Sequence, residues 1–178
     1  DETVVLINEG AGNFTRADTS SGFFQHDNGS SWDDFGVGYD FSGGSIFFDY
    51  DNDGDVDLFV ANYQTGSNPG TNKLYRNDGG GNFTDMTGIG PIVTDAHNTR
   101  SANWVDVNND GWMDLLWSEG ADDANLVYIN RGNPDANGDV QWHEVAEQLS
   151  MDLPEFETRG FVPADLDNNG TLDIVVWN

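Results

Sequence analysis

Short apolar runs alternate along the chain with tracts rich in Gly, Asn and Asp. The runs at residues 56–61 and 172–177 are mostly apolar on both faces, which is typical of short strands buried on both sides. The tracts at residues 8–10 and 77–81 have the composition of turns between such strands. The best helical candidate, residues 144–151, is about two helical turns at most. The pattern therefore predicts an all-β fold.

The apolar runs belong to a sequence repeat that occurs three times. Three segments align without gaps, with glycines 57 and 59 residues apart: DYDNDGDVDLFVAN at 49–62, DVNNDGWMDLLWSE at 106–119 and DLDNNGTLDIVVWN at 165–178. A second element, VLINEGAGNFT at 5–15, returns as LYRNDGGGNFT at 74–84 and more loosely at 127–145. A period of this length fits the four-stranded antiparallel sheets of β-propeller blades. We expect one region, 1–178, with about three blades' worth of repeats at approximately 1–62, 63–120 and 121–178.

Each repeat contains an acidic loop with oxygen-bearing side chains at positions 1, 3, 5 and 9 and Gly at position 6. A hard cation needs about six to eight oxygen ligands. Gly at position 6 permits the sharp turn that lets the side chains converge, and position 7 would add a backbone carbonyl. The loops predict three Ca²⁺ sites, and Mg²⁺ is less suitable because it keeps more of its waters. The candidate ligands are Asp49, Asp51, Asp53, Asp55 and Asp57; Asp106, Asn108, Asp110, Trp112 and Asp114; and Asp165, Asp167, Asn169, Thr171 and Asp173.

Helix–loop–helix calcium sites share part of this pattern but require a bidentate Glu at position 12. Position 12 here is Val60, Trp117 or Val176, so the chain has already entered an apolar strand. Asp, Asn and Gly also make good turns without any metal, but three loops in one register favour a shared ligand role. The sequence therefore predicts strand–loop–strand cation sites.

Composition narrows the classes of function. The chain has 6 Lys and Arg against 32 Asp and Glu, a formal charge of −26, which repels nucleic acid and anionic membranes and suits cations. It has no cysteine, which excludes disulfides, Cys-zinc sites and thiol catalysis. No apolar run reaches the length of about 18 residues that a membrane span needs. The chain opens at Asp1 without a signal-peptide pattern, so we expect a processed form or a piece of a longer protein.

The loop motif D-x-D-x-D-G-x-x-D before an apolar strand, together with NKLYRNDGGGNF at 72–83, resembles FG-GAP/VCBS repeats, the blades of integrin-α-like β-propellers. The resemblance covers essentially the whole chain. It implies a calcium-stabilised propeller that is secreted or at the cell surface and serves adhesion or ligand binding. Only Phe35-Gly36 matches the FG signature, and the third repeat lacks the compact Gly-rich hairpin, so blade-specific binding roles do not transfer.

On the family pattern, the chain contains two complementary halves of a blade. Residues 1–20 would be the outer two strands of one blade, and residues 160–178 would be the inner two strands of another. About three blades' worth cannot close a propeller, for which about four to eight blades are usual. We expect a piece of a larger propeller, a ring made by two copies, or a head-to-tail filament formed by strand addition.

Other candidate chemistry gives weaker signals. His26, His97 and His143 share no spacing, no G-x-S-x-G motif occurs, and paired acids such as Asp33-Asp34 are expected by chance among 32 acidic residues. We therefore predict no catalytic site. Sequons at Asn13, Asn28 and Asn82 would accept glycans if the source glycosylates them.

The six tryptophans divide between predicted strands and loops. Trp104, Trp117 and Trp177 fall on predicted inner strands, so we expect them in the core. Trp32 lies in a polar loop, where it would either fold onto its own blade or stack on a sugar ring or partner.

The sequence favours a non-enzymatic, extracellular, calcium-binding β-propeller repeat unit that serves adhesion, recognition or assembly, with a protein or carbohydrate ligand left open. Two alternatives stay open. One is a structural subunit of a head-to-tail extracellular filament that self-associates through its complementary half-blades. The other is an accessory or catalytic propeller domain of a carbohydrate-active enzyme. Neither nucleic-acid binding nor membrane insertion is expected.

Overall fold

The computed structural model describes residues 6–11, 13–16, 25–26, 41–63, 71–86, 88–95, 99–119, 124–132, 140–153 and 157–178. The described residues form thirteen β-strands and a four-residue helix. In chain order these are β1 (Leu6–Gly10), β2 (Asn13–Arg16), β3 (Gln25–His26), β4 (Phe41–Phe48), β5 (Asp57–Tyr63), β6 (Lys73–Asn77), β7 (Asn82–Asp85), α1 (Pro91–Thr94), β8 (Thr99–Val105), β9 (Asp114–Glu119), β10 (Leu126–Asn130), β11 (Trp142–Glu144), β12 (Gly160–Ala164) and β13 (Asp173–Trp177).

The strands form four sheets. Strands β8 to β11 make a four-stranded antiparallel meander, and β4 to β7 make a second one to which β3 adds in parallel alongside β7. Strands β1 and β2 pair as a two-stranded sheet, and so do β12 and β13. The predicted all-β class with four-stranded propeller blades is confirmed.

The sheets are out of phase with the sequence repeats. The segment 63–120 supplies the outer strands β6 and β7 of one sheet and the inner strands β8 and β9 of the next. The hairpin β12–β13 encloses an acidic loop as the inner pairs β4–β5 and β8–β9 do, and the assignment of β1–β2 as an outer pair stays a prediction.

The sheets pack face to face through their inner strands. Phe59 and Ala61 of β5 meet Leu115 and Trp117 of β9 in one buried cluster. The opposite face of β9 presents Leu116 to the β12–β13 sheet. All six residues of β9 are therefore buried, and this explains why the run is apolar on both faces. Each large apolar side chain buried in this way stabilises the folded state by about 1.5–3 kcal/mol.

Aromatic stacking joins the first two blades. Phe48 of β4 stacks on Trp104 of β8 with ring centroids 3.5 Å apart and an interplanar angle of 13°. Phe59 and Trp142 meet the same indole edge-on at 5.4 Å and 5.7 Å. Trp104 thus anchors the interface between the two sheets.

Two expectations from the sequence are wrong. Residues 144–151 form turns rather than a helix, because β11 continues to Glu144 and the Glu144 Oε1 atom accepts the backbone N–H of Ala146 at 2.6 Å. Trp177 is 52% exposed, because β13 is an edge strand of the described residues and no further sheet covers its outer face. The core position of Trp117 is confirmed, and Trp104 is partly buried and packs against the core.

No helix in the described part of the chain has the length and apolar character needed to cross a membrane. The expectations for Trp32, Asn28, His97, Asp33-Asp34 and Phe35-Gly36 concern residues outside the described ranges.

Candidate metal centres

Each acidic loop joins the first strand of a sheet to the second. The loops connect β4 to β5, β8 to β9 and β12 to β13, so all three sit at the same end of their sheets. This is the predicted strand–loop–strand arrangement.

The carboxylate at position 1 holds the turn together in all three loops. Asp49 accepts the backbone N–H groups of positions 5 and 6 at 3.2 and 3.0 Å. The same two bonds measure 3.0 and 2.8 Å at Asp106 and 3.0 and 2.9 Å at Asp165. Hydrogen bonds to a charged acceptor are stronger than neutral ones. The loop shape is therefore fixed by the chain's own groups.

Two positions in each loop adopt the left-handed backbone conformation. Gly at position 6 has φ between 88° and 96°, as predicted from the sequence. Position 4, which the sequence analysis did not single out, has φ between 56° and 58° in Asn52, Asn109 and Asn168. Asn tolerates this conformation better than other residues with a side chain, so its recurrence at position 4 was a readable signal.

The carboxylate at position 9 ties each loop to its sheet. Asp57 accepts the backbone N–H of Tyr50 through Oδ2 at 2.9 Å and that of Asn77 through Oδ1 at 2.8 Å. Asp114 accepts those of Val107 and Asn130, both at 2.9 Å. Both Asp side chains are fully buried. The third loop repeats the first of these two bonds, from the backbone N–H of Leu166 to Asp173 Oδ2 at 2.9 Å.

Positions 1, 3 and 9 converge in two of the loops. One carboxylate oxygen from each of Asp49, Asp51 and Asp57 lies within 4.8 Å of the other two, and Asp165, Asp167 and Asp173 form the same trio. These distances suit ligands that share one cation.

Asp53, the predicted ligand at position 5 of the first loop, is not part of its trio. Asp53, Asp110 and Asn169 each accept the backbone N–H of position 7, at 2.9, 2.9 and 2.7 Å. The second loop forms no trio of carboxylates, because position 3 is Asn108, whose amide donates to Asp110 at 2.9 Å.

Position 7 was predicted to offer its backbone carbonyl through Asp55, Trp112 or Thr171. That role stays a prediction. The Trp112 ring packs directly over Gly132, where a Cβ would collide with the indole. This contact fixes the second loop against the end of β10.

The first loop concentrates negative charge in a buried place. Burial raises the pKa of Asp57 to about 7, with the charges of Asp51 and Asp53 adding to the rise. Burial likewise raises the pKa of Asp114 to about 6. The pKa of Asp51 is raised by burial and by the charges of Asp53 and Asp49. A divalent cation bound in the first loop would relieve the repulsion between its carboxylates. The donor set of this loop therefore fits a divalent cation.

Two asparagines that support the loops were not predicted from the sequence. Asn77 and Asn130 are the last residues of β6 and β10, and their backbone N–H groups bind the position-9 carboxylates. Asn130 is fully buried, and its side chain donates to the backbone carbonyl of Tyr50 at 2.8 Å and accepts the N–H of Gly132 at 2.9 Å. The signal was present, because the second sequence element repeats this Asn in LYRN, VYIN and VLIN.

Asn130 also connects two of the candidate centres. It binds Asp114 of the second loop through its backbone and Tyr50 of the first loop through its side chain. A second bond runs between the same loops, from the Asn52 amide to the Gly111 carbonyl at 3.0 Å. The first and second loops therefore form one hydrogen-bonded unit.

Two stretches of the chain, residues 49–117 and 106–176, match a family model described as an FG-GAP-like repeat. Together the matches span residues 49–176, well over half of the chain. Each begins at position 1 of one acidic loop and ends in the strand that follows the next loop. No individual curated protein matches the chain significantly.

Proposed function

Because the chain belongs to the FG-GAP-like repeat family, we propose that it is a non-enzymatic, calcium-binding unit that acts outside the cell in adhesion, recognition or assembly. Its repeats and four-stranded sheets make it a β-propeller repeat unit. The proposal adds three Ca²⁺ sites, a secreted or cell-surface location, and binding to a protein or carbohydrate ligand.

The environment of Asp51 carries the calcium proposal. The side chain is 9% exposed, and its Oδ1 atom has no hydrogen-bond partner. It also lies in the trio with Asp49 and Asp57. A buried carboxylate oxygen without a partner is costly, and an acid that served only to shape the turn would bind a backbone N–H through that oxygen. A bound cation supplies the missing partner.

The donor set favours Ca²⁺ over Mg²⁺ and ranks the three sites. Ca²⁺ accepts six to eight oxygens in flexible geometry, roughly what side chains and a backbone carbonyl offer here, whereas Mg²⁺ keeps several waters. The first and third loops bring three carboxylates together, and the second loop has an amide at position 3. We expect the second site to bind Ca²⁺ more weakly than the other two.

The non-enzymatic part of the proposal is supported by the acids themselves. Asp51, Asp57 and Asp114 have raised pKa values, and all three lie in the loops. Asp57 and Asp114 use both oxygens to bind backbone N–H groups. Such carboxylates are placed to hold strands and a cation rather than to transfer a proton.

Thermal unfolding in millimolar Ca²⁺, in millimolar Mg²⁺ and in excess chelator tests the proposal. At free Ca²⁺ about tenfold above the Kd, each site stabilises the fold by about 1.4 kcal/mol, so three independent sites give about 4 kcal/mol. We expect a rise in Tm with Ca²⁺ that Mg²⁺ reproduces only in part. An unchanged Tm in millimolar Ca²⁺ would contradict the proposal.

Asp51→Asn and Glu147→Gln make a matched pair of charge-neutralising variants. Asp51→Asn should leave the metal-free Tm unchanged or higher, because it removes like-charge repulsion, and it should lose the Ca²⁺ contribution of the first site. Glu147 is exposed and lies outside the loops, so Glu147→Gln should keep the full response. Equal responses in the two variants would remove Asp51 from the site.

A further inference from the structure

We propose that Asn169, at position 5 of the third loop, is a site of spontaneous conversion to aspartate. The backbone nitrogen of Gly170 displaces the side-chain amide, and water then opens the five-membered ring that forms. The reaction needs water alone and does not depend on the cation of the proposed function, whereas its effect on the third loop does.

The third loop differs from the other two at position 5. Positions 5 and 6 are Asp and Gly in the first two loops and Asn169 and Gly170 in the third. Glycine leaves the backbone nitrogen of position 6 unshielded, because it has no Cβ. A Cβ built at Gly170 would meet no atom within 4 Å, so the space beside this nitrogen is open. Both residues are exposed, so water reaches them.

The side chain of Asn169 folds over the nitrogen that would attack it. Its Oδ1 atom accepts the backbone N–H of Thr171, two residues further along the chain, at 2.7 Å. An Asn side chain that binds the N–H two residues on closes a turn around the peptide unit between them. The Cγ atom, which carries this oxygen, is thereby held on the side of the Gly170 nitrogen.

Two donors converge on the oxygen that gains charge in the reaction. When the Gly170 nitrogen attacks Cγ, the electrons of the Cγ–Oδ1 double bond move onto Oδ1. The backbone N–H and the side-chain hydroxyl of Thr171 both donate to this atom. Donors placed where charge develops stabilise the transition state more than the ground state. Position 7 is Asp55 or Trp112 in the other loops, so the hydroxyl donor belongs to the third loop.

The attacking and leaving groups are also placed for the reaction. The Gly170 N–H donates to Oδ2 of Asp165 at 2.9 Å, and a charged acceptor polarises this bond and makes the nitrogen a better nucleophile. The Nδ2 atom of Asn169 makes no hydrogen bond with the described residues. The Nδ2 atoms of Asn52 and Asn77 each donate to a backbone carbonyl. Asn169 therefore lacks the bond that would hold its amide in place.

The atoms balance with water as the one co-reactant. A bond forms between Cγ and the Gly170 nitrogen, the bond between Cγ and Nδ2 breaks, and the proton lost by the Gly170 nitrogen reaches the leaving ammonia through solvent. Water then opens the ring. Cleavage between the nitrogen and Cγ gives aspartate, and cleavage between the nitrogen and the backbone carbon gives isoaspartate. Either product lowers the formal charge of the chain from −26 to −26 − 1 = −27.

The folded loop favours aspartate over isoaspartate. Asp53 and Asp110 make the bond to the N–H of position 7 that Asn169 makes, so the loop accepts aspartate at position 5 without rearrangement. Isoaspartate adds one carbon to the backbone between positions 5 and 6 and displaces the Gly170 N–H from Asp165. We expect a larger share of aspartate in the folded chain than in the unfolded chain.

Peptide mass spectrometry tests the modification, because conversion replaces an NH group of the side chain by oxygen. The chain is incubated at neutral pH in excess chelator, folded in one sample and unfolded in urea in the other. The Asn-Gly pairs at 28–29 and 137–138 lie outside the described residues and serve as references of the same sequence. In urea all three pairs should convert at about the same rate. In the folded chain Asn169 should convert faster than it does in urea.

Thr171→Val and Thr94→Val make a matched pair of variants for the donor. Thr171→Val removes the hydroxyl group and should slow the conversion of Asn169 about two- to tenfold, the worth of one hydrogen bond. Thr94 is exposed, and its hydroxyl binds the Gly90 carbonyl in α1, so Thr94→Val should leave the rate unchanged. Conversion that is no faster in the folded chain than in urea, or equal rates in the two variants, would overturn the inference.

Calcium titration of Asn169→Asp and of the freshly prepared chain measures the effect on the third loop. The added carboxylate should lower the Kd of the third site roughly tenfold, because affinity for Ca²⁺ rises with the charge of the loop. An unchanged Kd would overturn this effect. Conversion of Asn169 in a chain that binds no Ca²⁺ would support the modification while contradicting the calcium proposal.

Discussion

At the scale of single residues, the loop carboxylates divide into two groups by what they bind. Positions 1 and 9 bind backbone N–H groups and hold the loop in shape, as Asp49 and Asp57 show. Position 3 also accepts the backbone N–H of position 5, at 2.9 Å in Asn108 and 3.1 Å in Asp167. Asp51 makes the same kind of bond with Asp53 and keeps its Oδ1 atom without a hydrogen-bond partner. Asp49 and Asp57 thus use both oxygens on the backbone, whereas Asp51 leaves one oxygen available to a cation.

Proton release should accompany Ca²⁺ binding at the first loop. The pKa of Asp57 is raised from 3.8 to about 7, so in the metal-free chain its contribution to stability is fully present below pH 3.8 and is lost as the pH rises through about 7. Ca²⁺ binds the ionised form and should displace up to about one proton from this loop at pH 6 and almost none at pH 8.5.

Calorimetric titration in two buffers of different ionisation enthalpy measures the protons released. Asp57→Asn should lower the number of protons released at pH 6, while Glu147→Gln should leave it unchanged. Release that is equal at pH 6 and pH 8.5 would contradict the assignment of the proton to this carboxylate.

Much of the candidate site could be predicted from residue types alone. Asp at positions 1, 3 and 9 and Gly at position 6 were readable, because their spacing and the need for positive φ are local properties. The repeated Asn of LYRN, VYIN and VLIN was recognisable as a recurring position, but the bond from Asn130 to Tyr50 was not, because the two residues lie 80 apart in sequence. The side chains at position 5 accept the backbone N–H of position 7, and the spacing of the residues does not predict this hydrogen bond.

At the scale of strands and loops, Asn130 joins two candidate cation sites by hydrogen bonds, and Asn77 supports one. The Asn130 side chain bridges the first loop and the end of β10, whereas Asn77 donates to Val56 of its own loop at 3.0 Å. Asn130→Ala leaves the Tyr50 carbonyl and the Gly132 N–H without these partners, at a cost of about 1–3 kcal/mol each. It should weaken Ca²⁺ binding at both the first and the second sites.

Terbium luminescence or calorimetric titration of the two variants checks this coupling. Asn77→Ala should weaken the first site alone, so it is the matched control. If Asn130→Ala weakened only the second site, the bridge would carry no coupling between loops.

The meanders could be predicted from sequence, and the small irregular elements could not. Apolar runs bounded by turn residues indicate β5 and β9 directly. The helix Pro91–Thr94 is four residues long, too short for any periodicity to show. The addition of β3 in parallel to β7 joins residues 25–26 to residues 82–83 and depends on distant pairing that local sequence does not encode.

At the scale of the whole described structure, stability comes from contacts between neighbouring sheets as well as from each sheet. Trp104 fills one such interface and stacks on Phe48. The error over Trp177 has the same origin, because its strand position is a core position only when another sheet covers it. The sequence repeats show where Trp177 lies in its strand, but they do not show whether another sheet covers that position.

Trp104→Ala should destabilise the fold by about 3–5 kcal/mol, because it leaves a large cavity between two sheets. Trp177→Ala removes the same side chain from an exposed position. It should lower the free energy of unfolding by less than about 1 kcal/mol at low protein concentration. Denaturant unfolding of both variants at low concentration measures the difference. Equal losses would mean that the interface between the sheets contributes little.

The phase offset between repeats and sheets has an evolutionary consequence. A tandem duplication of a segment such as 63–120 would add one outer hairpin and one inner hairpin, which together amount to one complete blade. Each strand that was present before the duplication would still pair with a strand of the same kind. A deletion of the same length would remove a blade equally cleanly. Lineages that carry such genes can therefore change the number of blades in single steps, with the acidic loop inherited whole each time.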